Sequence, residues 1–199
     1  DPHLSDLQRP TAASAQEFCL NLVRQTARYA AAFKPNVAFF EALGPRGWTA
    51  LKRVIQAVQD ESNRLGSLIP VILDAKRGDI ASTAEAYALS AFERLGAHAI
   101  TLNPYLGKDS IDPFLAYKEK GVFLLCKTSN PGANDLQDIL VAAGDGQPAP
   151  VPLYQHVAHL AQIWNTGNNI GLVVGATQPD ALRHIRAATP DLWFLVPGV

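Results

Sequence analysis

The sequence predicts an α/β fold, and three observations point there. Strand-like apolar runs alternate with helix-periodic segments along the chain. Strands separated in this way form a parallel sheet with right-handed crossovers. Several of those strands end in polar or charged residues, at Lys34, at Asp74 with Lys76, at Asn103 and over 127–129. That edge is where a (β/α)8 TIM barrel builds its site, and an open doubly wound sheet uses the same edge. The sequence contains neither G-x-G-x-x-G nor a P-loop, which favours the barrel over the nucleotide-binding open sheets.

The elements run in order along the chain. Residues 15–28 carry Phe18, Leu22 and Gln25 at helical spacing, and 29–34 reads as a short strand stopped by Pro35. Residues 37–43 form an apolar, aromatic turn of helix or strand. Gly44-Pro45-Arg46-Gly47 breaks it, and 49–65 is a long helix with Leu51, Val54, Ile55 and Val58 inward. Residues 68–74 are a strand with Pro70 near its start. A helix over 82–95 holds Ala84, Ala88, Ala91 and Phe92 and stops at Gly96. Then come a strand over 97–102, a short helix from Asp109 near Pro113, and a strand over 122–127. Residues 129–150 are loop-rich, with 144–148 as the tip. A helix over 151–164, a strand over 171–175, a helix over 179–188 and a strand over 192–196 complete the reading.

At 199 residues, 48% apolar and 18% charged, the chain suits one globular domain over 1–199. It opens at Asp1-Pro2 with no leading strand and closes on a strand, so the terminal strands of an eight-stranded barrel are expected outside it. A net charge of -1 without basic or acidic blocks argues against nucleic acid or a membrane surface as partner. Any anionic substrate must then be captured by local charge. Cys19 and Cys126, far apart and without a partner motif, fit reduced thiols in a cytoplasmic protein. No apolar run has the length of a membrane span.

The chemistry concentrates in Val71-Ile72-Leu73-Asp74-Ala75-Lys76-Arg77-Gly78-Asp79-Ile80, where an apolar strand ends in four charged groups. Alternation puts Asp74 and Lys76 on one face and Ala75 on the other. A carboxylate and an ammonium at the end of an apolar strand are costly unless they have a task. Gly78 lets the backbone turn so that Asp79 can return toward the same place.

The run over 71–83, VILDAKRGDIAST, resembles the signature of the orotidine 5'-phosphate decarboxylase family: D-x-K-x-x-D, then an aliphatic residue, a small residue and a threonine. Asp74, Lys76, Asp79, Ile80, Ala81 and Thr83 meet every required position. Phe33-Lys34-Pro35-Asn36 is similar to the family's second-strand lysine site, and Asp1-Pro2-His3 to the segment after its first strand. Thr128-Ser129-Asn130-Pro131-Gly132 resembles the pyrimidine-side loop, and Leu195-Val196-Pro197-Gly198 the end of the seventh strand. The Ala-Lys-Arg-Gly wording is similar to the bacterial subgroup.

The resemblance implies a cofactor-free, metal-free decarboxylation of orotidine 5'-monophosphate to UMP in pyrimidine biosynthesis. It implies that Lys34, Asp74, Lys76 and Asp79 form an alternating network, with Lys76 the proton donor. Asp79 and Thr83 would reach into a neighbouring subunit's site, implying a homodimer. Asp1 would bind ribose, Ser129 the pyrimidine, and Pro197 would line the base pocket. The family's main phosphate grip falls beyond Val199. An ammonium beside C6 suits this reaction because it stabilises a carbanion and then protonates it.

Blander readings stand beside these. The charged run could be a surface ion network, or Arg77-Gly78-Asp79 an adhesion tripeptide. His156 and His159, three apart on a helix, fit a solvated face better than a metal site, and His98 and His184 fit structural roles. Cys126 fits a core thiol. Asn103-Pro104-Tyr105 either shapes the site floor or ends a strand. Two other functions use the same scaffold: a metal-dependent keto-sugar-phosphate decarboxylase or lyase, and a non-catalytic nucleotide-binding barrel.

Overall fold

A computed structural model describes residues 10–142 and 149–198. The chain divides into two compact units, the described residues of Asp1–Ala75 with Leu89–Ala99, and those of Lys76–Ala88 with Ile100–Val199. The expected loop tip over 144–148 lies outside the described residues.

In the first unit, α1 (Ala12–Thr26) starts from Thr11, whose hydroxyl accepts from the Ser14 amide at 3.1 Å while Ser14 Oγ accepts from the Thr11 amide at 2.9 Å. This reciprocal cap satisfies two amides that a helix start otherwise leaves open. Helix α2 (Val37–Glu41) is capped by Asn36, which settles residues 37–43 as helix. Helix α3 (Gly44–Leu65) begins earlier than the expected 49. Gly44 and Pro45 open it rather than precede it, because a proline in the first turn lacks only an amide that has no helical acceptor. Leu51, Val54, Ile55 and Val58 are buried as their spacing predicts, and α1 and α2 both pack on α3. Each fully buried side chain of this kind contributes about 1.5–3 kcal/mol.

Strand β1 (Ile72–Arg77) runs later than the expected 68–74, carrying its ladder into the charged residues. The expected strand over 29–34 is not one. Residues Ala27–Tyr29 are a 3-10 turn, and the pairing that exists is two isolated parallel bridges, Phe33 to Val71 and Asn36 to Asp74. Pro35 has no amide to donate, so only its carbonyl joins the ladder.

Helix α4 (Ala81–Leu89) passes into a π-helical turn over Ser90–Arg94. Gly96, at φ +77°, closes the segment, and its carbonyl accepts from Gln59 Nε2 at 3.1 Å. His98 has the structural role expected of it, its Nδ1 accepting from the Val71 amide at 3.1 Å.

The second unit is built on β2 (Ala99–Leu102) from Ile100 onward, β3 (Gly121–Lys127), β6 (Ile170–Val174) and β7 (Trp193–Leu195). Within it β3, β6 and β7 lie side by side and parallel. Strands β4 (Leu140–Val141) and β5 (Val151–Pro152) make a separate antiparallel pair, β4 inside the stretch expected to be loop and β5 in the first two residues of the expected helix over 151–164. Between β2 and β3 lie two 3-10 turns and the short helix α5 (Asp112–Leu115); α6 (Asn134–Gln137) comes after β3. Helices α7 (Leu153–Trp164) and α8 (Pro179–Ala188) match the expected helices, α7 starting after β5. Ile100, Leu102, Val122, Leu124, Leu172 and Ile185 form the core of this unit. No helix among the described residues is long and apolar enough to cross a membrane.

Candidate active site

The first unit positions Lys34 and Asp74 through backbone before side chain. The Phe33 amide donates to Pro70 O at 3.0 Å, the Ile72 amide to Phe33 O at 2.8 Å, and the Asp74 amide to Pro35 O at 3.0 Å. This short ladder sets residue 34 against residue 74, and Lys34 Nζ donates to Asp74 Oδ2 at 2.6 Å. Asp74 is buried, while the Lys34 side chain keeps 34% of its exposure. A charge-assisted bond with one partner desolvated is stronger than a surface pair. Lys34 also lines a cavity of about 540 Å³ with Phe33, Phe39 and Cys19.

The second unit holds the rest of the run. Lys76 is exposed and its φ is +47°. An extended strand residue has negative φ, so the pleat does not continue through Lys76, and simple alternation cannot fix its face from that of Asp74. The Lys76 amide donates to Thr101 Oγ1 at 2.9 Å, and the Asn103 amide to Arg77 O at 2.7 Å. Gly78 is required by close approach: a Cβ there would lie 3.0 Å from Asn103 O. Asn103 Oδ1 also accepts from the Tyr105 amide, ending β2 and capping the 3-10 turn after it. Arg77 lies 4.9 Å over the Tyr87 ring. Asp79 is half-buried, and its Oδ1 accepts from the Ile80 amide at 2.8 Å. Thr83 is exposed in the first turn of α4.

Ser129 and Pro197 are brought to one place at the ends of β3, β6 and β7. A Cβ on Gly175 would fall 2.9 Å from Ser129 Cβ, and one on Gly198 would fall 3.4 Å from Ser129 Oγ. Gly175 donates its amide to Lys127 O at 2.7 Å, and Ala176 to Pro197 O at 2.8 Å. Asp1 lies outside the described residues.

Sequence reasoning missed the supports. Lys127, 2% exposed, donates to Asn134 Oδ1 at 2.8 Å and Asp138 Oδ1 at 2.6 Å, and its Nζ sits 5.5 Å from the Tyr154 ring centroid. Gln137 Oε1 accepts from the Thr128 amide and its Nε2 donates to Thr128 Oγ1. The loop carrying Ser129 is thus tied back to the end of β3. A lysine closing an apolar strand, with amides and a carboxylate a few residues on, was the available signal.

His156 and His159 are half-buried rather than on a solvated face. His156 lines a cavity of about 570 Å³ with Cys126, Tyr154 and Trp164. Both lie across α7 from its buried face, which carries Tyr154, Ala158 and Ala161. No group of three or more potential metal ligands occurs among the described residues. Both cysteines are free thiols, and burial pushes the Cys126 thiol up to about 12.

This chain is similar to proteins of known family. The orotidine 5'-phosphate decarboxylase of Roseiflexus sp. (strain RS-1) is 54% identical over 183 residues, covering 92% of this chain and 62% of that protein. The chain therefore spans about three fifths of the length of the curated relatives it matches first. Among solved structures, Leishmania donovani OMP decarboxylase superposes with a TM-score of 0.86 at 56% identity, covering 96% of this chain and 72% of that one. A Toxoplasma gondii structure, described as a putative orotidine-monophosphate-decarboxylase, gives a TM-score of 0.84 at 42% identity, covering 96% and 68%. The fold is α/β, of the (β/α)8 TIM-barrel class. The family model described as Orotidine 5'-phosphate decarboxylase / HUMPS family matches residues 10–199, and the chain belongs to that family.

Proposed function

We propose that the protein is an orotidine 5'-phosphate decarboxylase, a carboxy-lyase that converts orotidine 5'-monophosphate to UMP in pyrimidine biosynthesis without a cofactor. The observation that carries this reading is the Lys34–Asp74 ion pair, which stands two residues ahead of Lys76 in a complete D-x-K-x-x-D run. The name borne by relatives at 54% identity supports the same reaction over the keto-sugar and binding-only alternatives.

In this reading the bond from C6 to the carboxylate breaks, CO2 leaves, and the electron pair stays on C6. The Lys76 ammonium stabilises that charge and then gives C6 its proton; the resulting amine is reprotonated from solvent. Asp74 faces the substrate carboxylate and repels it more than it repels departing CO2. Lys34 and Asp79 keep Lys76 charged and oriented. Ser129 meets the pyrimidine, Pro197 lines the base pocket, and Asp1 is assigned to the ribose from sequence alone. Asp79 and Thr83 serve the neighbouring subunit's site in a homodimer. Residues 1–199 act as one catalytic domain in the cytoplasm, with neither membrane nor nucleic acid as partner.

The test is the loss of orotidine 5'-monophosphate absorbance with purified full-length protein, with and without chelator. Turnover indifferent to chelator is expected. Turnover abolished by chelator would move the assignment to a metal-dependent lyase, and none under either condition would favour a binding-only barrel.

A further inference from the structure

We propose that Thr101 is a positioning residue for Lys76, holding the proton donor's backbone in a conformation it would otherwise leave. The inference rests on the decarboxylase reading, in which Lys76 is the acid.

Strand β2 is buried at every position, and Thr101, 1% exposed, sits between Ile100 and Leu102 in its apolar run. A hydroxyl there is disfavoured unless it has a partner, and valine would fill the same space without that need. Its Oγ1 accepts from the Lys76 amide at 2.9 Å. Lys76 is one of three non-glycine described residues with positive φ, at +47°. Residues with a Cβ avoid that region, and one that stays there is held by its surroundings.

The holding is local. The Thr101 hydroxyl takes the amide of 76, the Asn103 amide takes the carbonyl of 77, and Gly78 closes against Asn103 O. Three successive residues of the charged run are thereby registered on 101–103. The direction in which the Lys76 side chain leaves the backbone is set by its φ, and Thr101 is the side chain that fixes it. Proton delivery to one ring carbon depends on such placement, since small displacements of a reacting group cost rate steeply.

The experiment compares T101V and T101S in the full-length protein. Valine keeps the volume and removes the acceptor; serine keeps the acceptor and removes a methyl. T101V should lose about 10- to 100-fold in kcat, with KM and UMP affinity by calorimetry within about twofold. T101S should melt at a lower temperature than wild type yet keep kcat within about threefold. A role in packing alone would give the reverse order, with serine the more damaging. Unchanged kcat in T101V, or equal loss in both variants, would overturn the proposal. If T101V does not fold, T101A removes the same acceptor, with T101S as its control. Hydrogen exchange at the Lys76 amide is read without substrate: protection lost in T101V or T101A and kept in T101S supports the role, and unchanged protection overturns it. A wild type inactive on orotidine 5'-monophosphate would sink the decarboxylase reading and leave the exchange result to decide on Thr101.

Discussion

Lys34 Nζ donates to Asp74 Oδ2 at 2.6 Å, joining a part-exposed ammonium to a buried carboxylate across two segments forty residues apart in sequence. Backbone pairing of 33–35 with 70–74 brings them together, so the ion pair follows from the ladder. Asp74 would otherwise lose solvation without that cation in return. We predict a coupling of about 1–3 kcal/mol between K34M and D74N in a double-mutant cycle of denaturant melts. Coupling indistinguishable from zero would show that the ladder alone sets this geometry. Both single variants should also lose turnover by at least about 100-fold, the scale of a misplaced catalytic group.

Lys76→Ala should abolish turnover and leave the melting temperature within a few degrees, because the side chain is exposed and its backbone bonds remain. Retained turnover would remove Lys76 from the role of acid. Asp79→Ala should be inactive alone and partly rescued on mixing with Lys76→Ala subunits, since one hybrid site would then carry both groups. Absence of rescue after verified subunit exchange would count against a site shared in a homodimer.

Much of this was legible in the sequence because it rests on short-range rules. The helices over 49–65 and 179–188 showed in apolar spacing, and Leu51, Val54, Ile55 and Val58 are buried as read. Of the charged run, Asp74, Lys76 and Arg77 fall within β1, and Asp79 comes two residues after its end. The expected strand over 29–34 failed because Pro35 and the Asn36 cap reduce the pairing there to two bridges, a feature set by what lies opposite. Alternation from Asp74 to Lys76 failed at a positive φ, which no periodicity announces. Thr101 and Lys127 went unread as supports because their partners are backbone or polar groups brought close only by folding.

Lys127 tests how a buried ammonium is compensated. Its two bonded partners, Asn134 and Asp138, are exposed and can regain water if the lysine is removed, whereas the ammonium cannot if Asp138 is removed. Asp138→Ala should therefore destabilise by about 1–3 kcal/mol, and Lys127→Met by less than about 1 kcal/mol, in urea melts. The opposite order would mean that the lysine's bonds outweigh the cost of burying it. Both variants should raise KM for orotidine 5'-monophosphate, because Ser129 rides on the loop these bonds tie down.

Cys126 gives a pH dependence of definite sign. Burial raises its thiol from an ordinary 9.0 to about 12, against a smaller lowering by the positive charge of Lys127, and its Sγ bonds Tyr154 O at 3.1 Å. A group whose pKa is raised on folding stabilises the native state in full below its unfolded value. That stabilisation is lost as pH climbs from about 9 toward 12, at a slope of up to about 1.4 kcal/mol per unit. The stability difference between wild type and Cys126→Ala should therefore be flat up to about pH 8 and shrink above 9. The same burial predicts two classes of thiol toward a disulfide reagent at pH 8: half-buried Cys19, only raised in pKa, reacts in the native protein, and Cys126 reacts on unfolding. Equal native rates for the two would show that water reaches Cys126, and the interior assigned to β3 and α7 would have to be redrawn.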